Sequence, residues 1–412
     1  MGRIRWGVGL GVLAAALLAA TQGGASTRAE GPHAKGPTGS PIKIGISLPL
    51  TGRFSEPGTA AQHGYQVWQR YVNTHGGMLG RPVQLIIYDD ASDQNTIVSD
   101  YNRLISEQHV DLLLGTFSSF LNLPASAVAE KAHMVFIAPA GGSPAIFARG
   151  FQYYFFAQQA TAPHQGDLFS AWIKNLKNHP TKVAYATLND PFAKPVSDGI
   201  KAKLEAAGFQ TVYSQVYPTG TTDFDTIAAA IKNSGAEVLV NGATFEDGVG
   251  LIRSMKKLNY NPQALFQTTA PTVTGEFVSA IGIKNTEAIM YAVSWSARAT
   301  GKKFPLNHDF LVLHEKMFKG ALPEEDAADA FASAQILLTA VKAVGRIDQD
   351  AIRDYLHSHP VRTILGPLSW DKNGAPRQSF FLGQWQKSRP QIVLPKVIAT
   401  VKGVEFPKPA WQ

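Results

Sequence analysis

There is no cysteine anywhere in the 412 residues. Disulfides, thiolate metal sites, a cysteine nucleophile and a lipidated cysteine are all excluded. An exported protein can do without disulfides when its core is large, and this chain is long enough for two or three domains. Beyond the N-terminus there is no run of about 18 apolar residues, so a soluble mature protein is expected. A basic stripe is also missing: lysine and arginine are scattered, and nucleic-acid binding is not expected. The nucleophile elbow G-x-S-x-G and the phosphate loop G-x-x-x-x-G-K-[ST] are both absent. The eleven histidines show no metal-ligand spacing. "HEKMF" (314–318) lacks the second histidine of a zinc-protease helix, and His314 reads as a surface helix residue. Asp89-Asp90 reads as a solvated strand end rather than a metal pair. No cofactor is expected.

What is present begins with an address. "MGRIR" is basic, "WGVGLGVLAAALLAA" is a short apolar run and "TQGGAS" is built of small residues. This is the layout of a secretory signal peptide, with an uncleaved single-pass anchor as the alternative. We place the signal at 1–26, with cleavage between Ala20 and Ala29, and a flexible linker at 27–40. Loss of Arg3 and Arg5 lowers the net charge from +7 to +5. "GVGLG" lies inside the signal, so it is not a dinucleotide turn.

From residue 42 short apolar strands alternate with longer amphipathic helices. "IKIGISLPL", "PVQLIIYDD", "VDLLLG" and "HMVFIAP" read as strands. Between them, Ala61, Tyr65, Trp68 and Val72 share one helical face, as do Ile97, Tyr101, Leu104 and Ile105. A helix through "PASAVAEKA" precedes the fourth strand. A second series follows from "TKVAYATLND" to "QALFQTT". The next segments are helical, and the end is β-rich, with "DKNG" as a hairpin turn between two strand-like runs. Near-continuous apolar strands alternating with helices predict an α/β protein with parallel sheets covered on both faces.

In such sheets ligands bind beyond the carboxyl ends of the strands. Those exits are "LPLTGRFSEPG", "GTFSS", "APAGGSP", "NDPFA" and "NGATFEDG". They carry serine hydroxyls, exposed glycine backbone and free N–H groups at helix starts, all of which suit a carboxylate. In order and spacing, "IKIGISLPLTG", "GTFSS…PAS", "APAGGSP", "NDPF" and "GPLSWDKNG" resemble the type I periplasmic binding proteins. The likeness is to the leucine/isoleucine/valine-binding branch that serves ABC importers, and it covers the chain from about residue 41. It implies two Rossmann-like lobes joined by three crossover strands, with the ligand between them. Lobe one would be 41–160 plus 292–366, and lobe two 161–291 plus 367–412.

The resemblance also implies site residues. Ser119, with neighbouring N–H groups and with Ser118 beside it, would hold the ligand carboxylate. Ala140, Gly141 and Gly142 would form the next tip, where the family's threonine is missing at Gly142 and Ser143 stands beside it. Phe192 would occupy the family's tyrosine position, and Glu246 would pair with the ligand ammonium. Trp295 would add an aromatic wall. Each has a plain alternative. Ser119 would cap a helix starting near Asn122, Glu246 would complement a helix dipole, and Phe192 and Trp295 would be core. The leading expectation is a monomeric, non-enzymatic periplasmic receptor that captures an aliphatic amino acid for an ABC permease. An aromatic acid as cargo, a sensor module, and an exported hydrolase using Ser118 or Ser119 with His133 or His164 are the competing readings.

Overall fold

The computed structural model describes residues 36–321 and 323–412. The expected signal peptide and the first part of the linker lie outside the described residues. The first series is β1 (Ile42–Leu48), α1 (Ser55–Thr74), β2 (Val83–Asp89), α2 (Gln94–Ser106), β3 (Leu112–Leu114), α3 (Ser119–Lys131), β4 (Phe136–Ala138), α4 (Pro144–Phe147) and β5 (Tyr154–Phe156). Its five strands form a parallel sheet in the order β2-β1-β3-β4-β5. Ile42, Ile44, Ile46 and Leu48 of β1 are all fully buried, as expected where helices cover the sheet. Asp93 caps α2 by accepting from the N–H groups of Asn95 and Thr96, both at 2.9 Å.

The second series is α5 (Asp167–Lys174), β6 (Lys182–Leu188), α6 (Ala193–Ala206), β7 (Gln210–Tyr217), α7 (Asp225–Asn233), β8 (Val238–Gly242), α8 (Phe245–Lys257), β9 (Ala264–Gln267), α9 (Thr274–Ile281) and β10 (Met290–Val293). Then come α10 (Asn307–Met317), α11 (Glu325–Val344), α12 (Gln349–Ser358), β11 (Val361–Thr363), β12 (Gly366–Leu368), β13 (Phe381–Gln386) and β14 (Arg389–Leu394). The second sheet runs β14-β13-β10-β9-β8-β6-β7. It is parallel from β10 to β7, while β13 and β14 are antiparallel.

The helices α10 to α12 return to the first sheet. α11 lies along α1 and against β4. Gly64 makes that approach possible, because a β-carbon there would sit 1.9 Å from the Ala327 carbonyl oxygen. The contact fixes the N-terminal end of α11 beside the tips of β3 and β4. Two lobes result, and the chain crosses between them through 157–166, 294–306 and 369–380. Gln159 ties the crossings together. Its Nε2 donates to the carbonyls of Ser294 (2.7 Å) and Leu365 (3.2 Å), and its own carbonyl accepts from the Gln378 N–H at 2.9 Å.

Four sequence expectations change. "DKNG" does form a turn, but only the bridge between Trp370 and Pro376 closes it. The flanking runs pair elsewhere, β12 with β11 and β13 with β10 and β14, so no hairpin forms. Helix α3 starts at Ser119, well before "PASAVAEKA". Pro124 is tolerated because the Phe120 carbonyl, which a proline cannot serve, accepts from Gln94 Nε2 at 2.7 Å. His314 is not a surface residue. It is 3% exposed, packs among Phe310, Phe318 and His63, and bonds through Nδ1 to the Ala321 carbonyl. Asp89 is exposed as expected, but Asp90 is fully buried and accepts from the Ser92 N–H at 2.8 Å.

Candidate functional site

The tips after β3 and β4 are locked to one another by Asn122. Its Nδ2 donates to the carbonyls of Thr116, Ser118 and Ala140 at 2.8, 2.9 and 2.8 Å. Ser119 adds a second tie, its Oγ accepting from the Ser143 N–H at 3.1 Å. Gly141 completes the second tip at φ +114°, a conformation open to glycine, and its carbonyl accepts from Tyr154 Oη at 2.9 Å. Ser118 differs from these residues. It stands at the cap position of α3 without capping it, and its buried hydroxyl has no partner in the protein.

These tips form one wall of a cavity of about 60 Å³. Lobe two supplies the opposite wall with Phe192 after β6 and with Thr268, Thr269 and Thr272 after β9. Phe192 is positioned by Asp190, whose carboxylate accepts from the N–H groups of Phe192 (2.8 Å) and Ala193 (3.1 Å) at the start of α6. Gln158, Ala292 and Phe380, at or beside the crossings, close the sides. The floor is acidic: Glu325, Asp326 and Asp329 reach it from the first turns of α11. Burial pushes Glu325 up to about 7, and holds Asp329 and Asp326 well above the usual carboxylate range, with their acidic neighbours adding to the effect. No lysine, arginine or histidine lines the cavity among the described residues. Nor is any group of three or more His, Asp or Glu there placed to hold a metal ion.

Of the residues expected from sequence, Ser118, Ser119, Ala140, Gly141 and Phe192 line this cavity. Gly142 does not. It packs under Phe156, and its carbonyl accepts from the Ala162 N–H at 2.7 Å. Ser143 does not replace the missing threonine either, because its hydroxyl caps α4. Glu246 lies in the first turn of α8, outside the lining, among Glu56, Asp247 and Arg53. Trp295 is turned away: its Nε1 donates to Asn307 at 2.6 Å, its ring meets Phe310 edge-on, and it lines a separate groove. The acids of α11 were missed. Their one sequence signal is Asp329, a charge inside the apolar run "AADAFASAQILLTAV" and four residues from Glu325 on the same helical face.

The profile of the family described as "Periplasmic binding protein" matches residues 41–390. An amino acid binding protein of Pseudomonas aeruginosa is 28% identical over 334 residues, 81% of this chain and 87% of that one. The Leu/Ile/Val-binding protein homolog 1 of Brucella abortus is 27% identical over 354 residues, 84% and 91% of the two chains. Among solved structures, a leucine binding protein from Thermotoga maritima superposes with a TM-score of 0.76 at 17% identity, covering 85% of this chain and 97% of that one. A solute binding protein of an ABC transporter from R. palustris, in complex with benzoate, gives 0.75 at 18% identity, covering 90% and 97%. With its two-lobed α/β fold and its cavity between strand tips, the chain belongs to the periplasmic binding proteins of type I, in the leucine/isoleucine/valine-binding branch.

Proposed function

We propose that the protein captures a small carboxylate-bearing solute, an aliphatic amino acid, between its lobes and delivers it to an ABC-type permease. In this reading it is exported to the periplasm after loss of residues 1–26, acts as a monomer and catalyses no reaction. Lobe one is then 41–160 plus 294–368 and lobe two 161–293 plus 369–412; the expected boundaries at 291/292 and 366/367 move by two residues because β10 belongs to the second sheet and β12 pairs with β11.

One observation carries the reading: Ser118 lines the cavity, and its hydroxyl is buried and unpaired. A buried polar group without a partner costs about 1–3 kcal/mol, and a ligand carboxylate relieves that cost. The first-turn N–H groups of α3 lie beside it and favour the same anion. The cavity is smaller than the roughly 150 Å³ that admits benzene in a protein core, so the lobes must part for entry and close on the ligand. A ligand that binds the closed form better shifts the population toward it, and this supplies the signal a permease reads.

A second reading, an aromatic acid as cargo, is favoured by Phe117, Phe192 and Phe380 in the same lining. Thermal-shift measurements with the twenty amino acids and with benzoates, followed by calorimetry, separate the two. The first reading expects an aliphatic amino acid to raise the melting temperature most. A shift with benzoates alone supports the second, and no shift with any carboxylate defeats both.

A further inference from the structure

Ser294 puts a single hydroxyl between two acids. Its Oγ lies 2.7 Å from Glu325 Oε1 and 2.7 Å from Asp329 Oδ1. A serine hydroxyl has one proton to donate. It serves one carboxylate, so the second short contact needs a proton from the acid itself. The Ser294 N–H also donates to Glu325 Oε1, at 2.6 Å, which marks Glu325 as the ionised acceptor. Asp329 is then the protonated partner, donating to Ser294 Oγ while its other oxygen accepts from Gln158 Nε2. Burial raises Glu325 to about 7 and holds Asp329 well above the usual carboxylate range, so the assignment applies above about pH 7, where Glu325 ionises and Asp329 keeps its proton.

The groups facing the pair do not neutralise it. Asp326 and Glu324 stand beside it on or next to α11, Tyr291 faces it from β10, and no basic side chain lines the cavity among the described residues. The same cavity is lined by Ser118, a residue only 7% exposed whose hydroxyl is unpaired. The cavity therefore has a hydroxyl pole without a partner and an acidic pole without a cation.

We propose that Glu325 and Asp329 form the site for a protonated amine on the cargo, which docks there and displaces the shared proton to solvent. The assignment rests on the cleft being the solute site. It moves the amine from Glu246, on α8, to α11. It also disfavours an acid lacking an amine, which would bring a second anion against the α11 carboxylates.

Calorimetry on the full mature chain tests it with three probes: L-leucine, its deaminated analogue 4-methylpentanoate, and its decarboxylated analogue 3-methylbutylamine. Titrations at pH 8, above the value of about 7 to which burial raises Glu325, in two buffers of different ionisation enthalpy count the protons exchanged. Leucine should bind at least about tenfold more tightly than 4-methylpentanoate and release about one proton. Glu325→Gln should weaken leucine at least about tenfold, while Glu246→Gln leaves it unchanged. Asp329→Asn is the second variant; it keeps its hydrogen-bond partners, and leucine should then bind without proton release. Melting temperatures establish that each variant is folded. Loss of leucine binding in Glu246→Gln but not in Glu325→Gln overturns the assignment and leaves the amino-acid reading standing. Binding of 3-methylbutylamine without leucine supports the amine site and defeats the carboxylate reading. Equal affinity for leucine and 4-methylpentanoate, or no binding of either amine, overturns the assignment.

Discussion

Gln159 Nε2 donates to the Ser294 carbonyl at 2.7 Å, so a buried side chain on the first crossing holds the second crossing in place. The same nitrogen reaches the Leu365 carbonyl just before the third. Gln159→Leu keeps the bulk and removes both bonds. It should lower folding stability by about 1–3 kcal/mol, the cost of leaving buried acceptors unpaired. Urea denaturation checks this, and unchanged stability would mean the crossings do not depend on the contact.

Gly141→Ala is expected to damage both fold and site. At φ +114° a β-carbon would lie 2.7 Å from Tyr154 Oη and 2.9 Å from Asn122 Nδ2. Strain of this kind costs more than about 1 kcal/mol, and displacing Asn122 releases the tie between the two tips. Denaturation and ligand titration should both show losses. Wild-type values in both would mean that the tip absorbs a side chain freely.

Stability should depend on pH through the buried acids. Burial raises Asp90, Glu324 and Glu325 to about 7. These groups hold more protons folded than unfolded across the interval from the ordinary carboxylate range, near about 4, up to about 7. Their contribution is complete at the low end of that window and is lost as pH rises through about 7. Carboxylates held low by hydrogen bonds, such as Asp93 and Asp348, act below this window. His63, His314 and Lys408, whose charged forms burial disfavours, act in the opposite sense over part of this interval. Relative to the unliganded wild type, Glu325→Gln should therefore lose less stability, or gain more, between pH 5.5 and pH 8. An identical pH dependence in the two proteins contradicts the assignment.

The two serine- and glycine-bearing tips could be read from sequence because small residues after apolar strands have few other uses in a parallel sheet. The alternation of strand and helix likewise announced the α/β layers. The start of α3 was hidden, because Pro124 reads as a helix beginning and the compensating donor, Gln94, is remote in sequence. The acids of α11 were hidden more deeply. Glu325 and Asp326 at a helix start look like ordinary partners of the helix dipole. The close approach of Gly64 and Ala327 helps bring them beside strand tips some 200 residues earlier (325 against 118), a contact that no local pattern announces. Trp295 misled for the opposite reason: an aromatic residue after a strand suits a cleft wall, but Asn307 turns its indole into the lobe.

The central claim, that the cleft closes on a solute carboxylate at Ser118, is tested most directly by comparing Ser118→Ala with Ser119→Ala. Ser118 has no protein partner to lose, whereas Ser119 accepts from the Ser143 N–H. Calorimetry with the best-binding amino acid and a melting curve should be taken on each variant. Ser118→Ala should lose about 1.5–3 kcal/mol of affinity, the range for a hydrogen bond to a charged group, with its melting temperature unchanged or raised. Ser119→Ala should lose stability. Full affinity in Ser118→Ala would contradict the account.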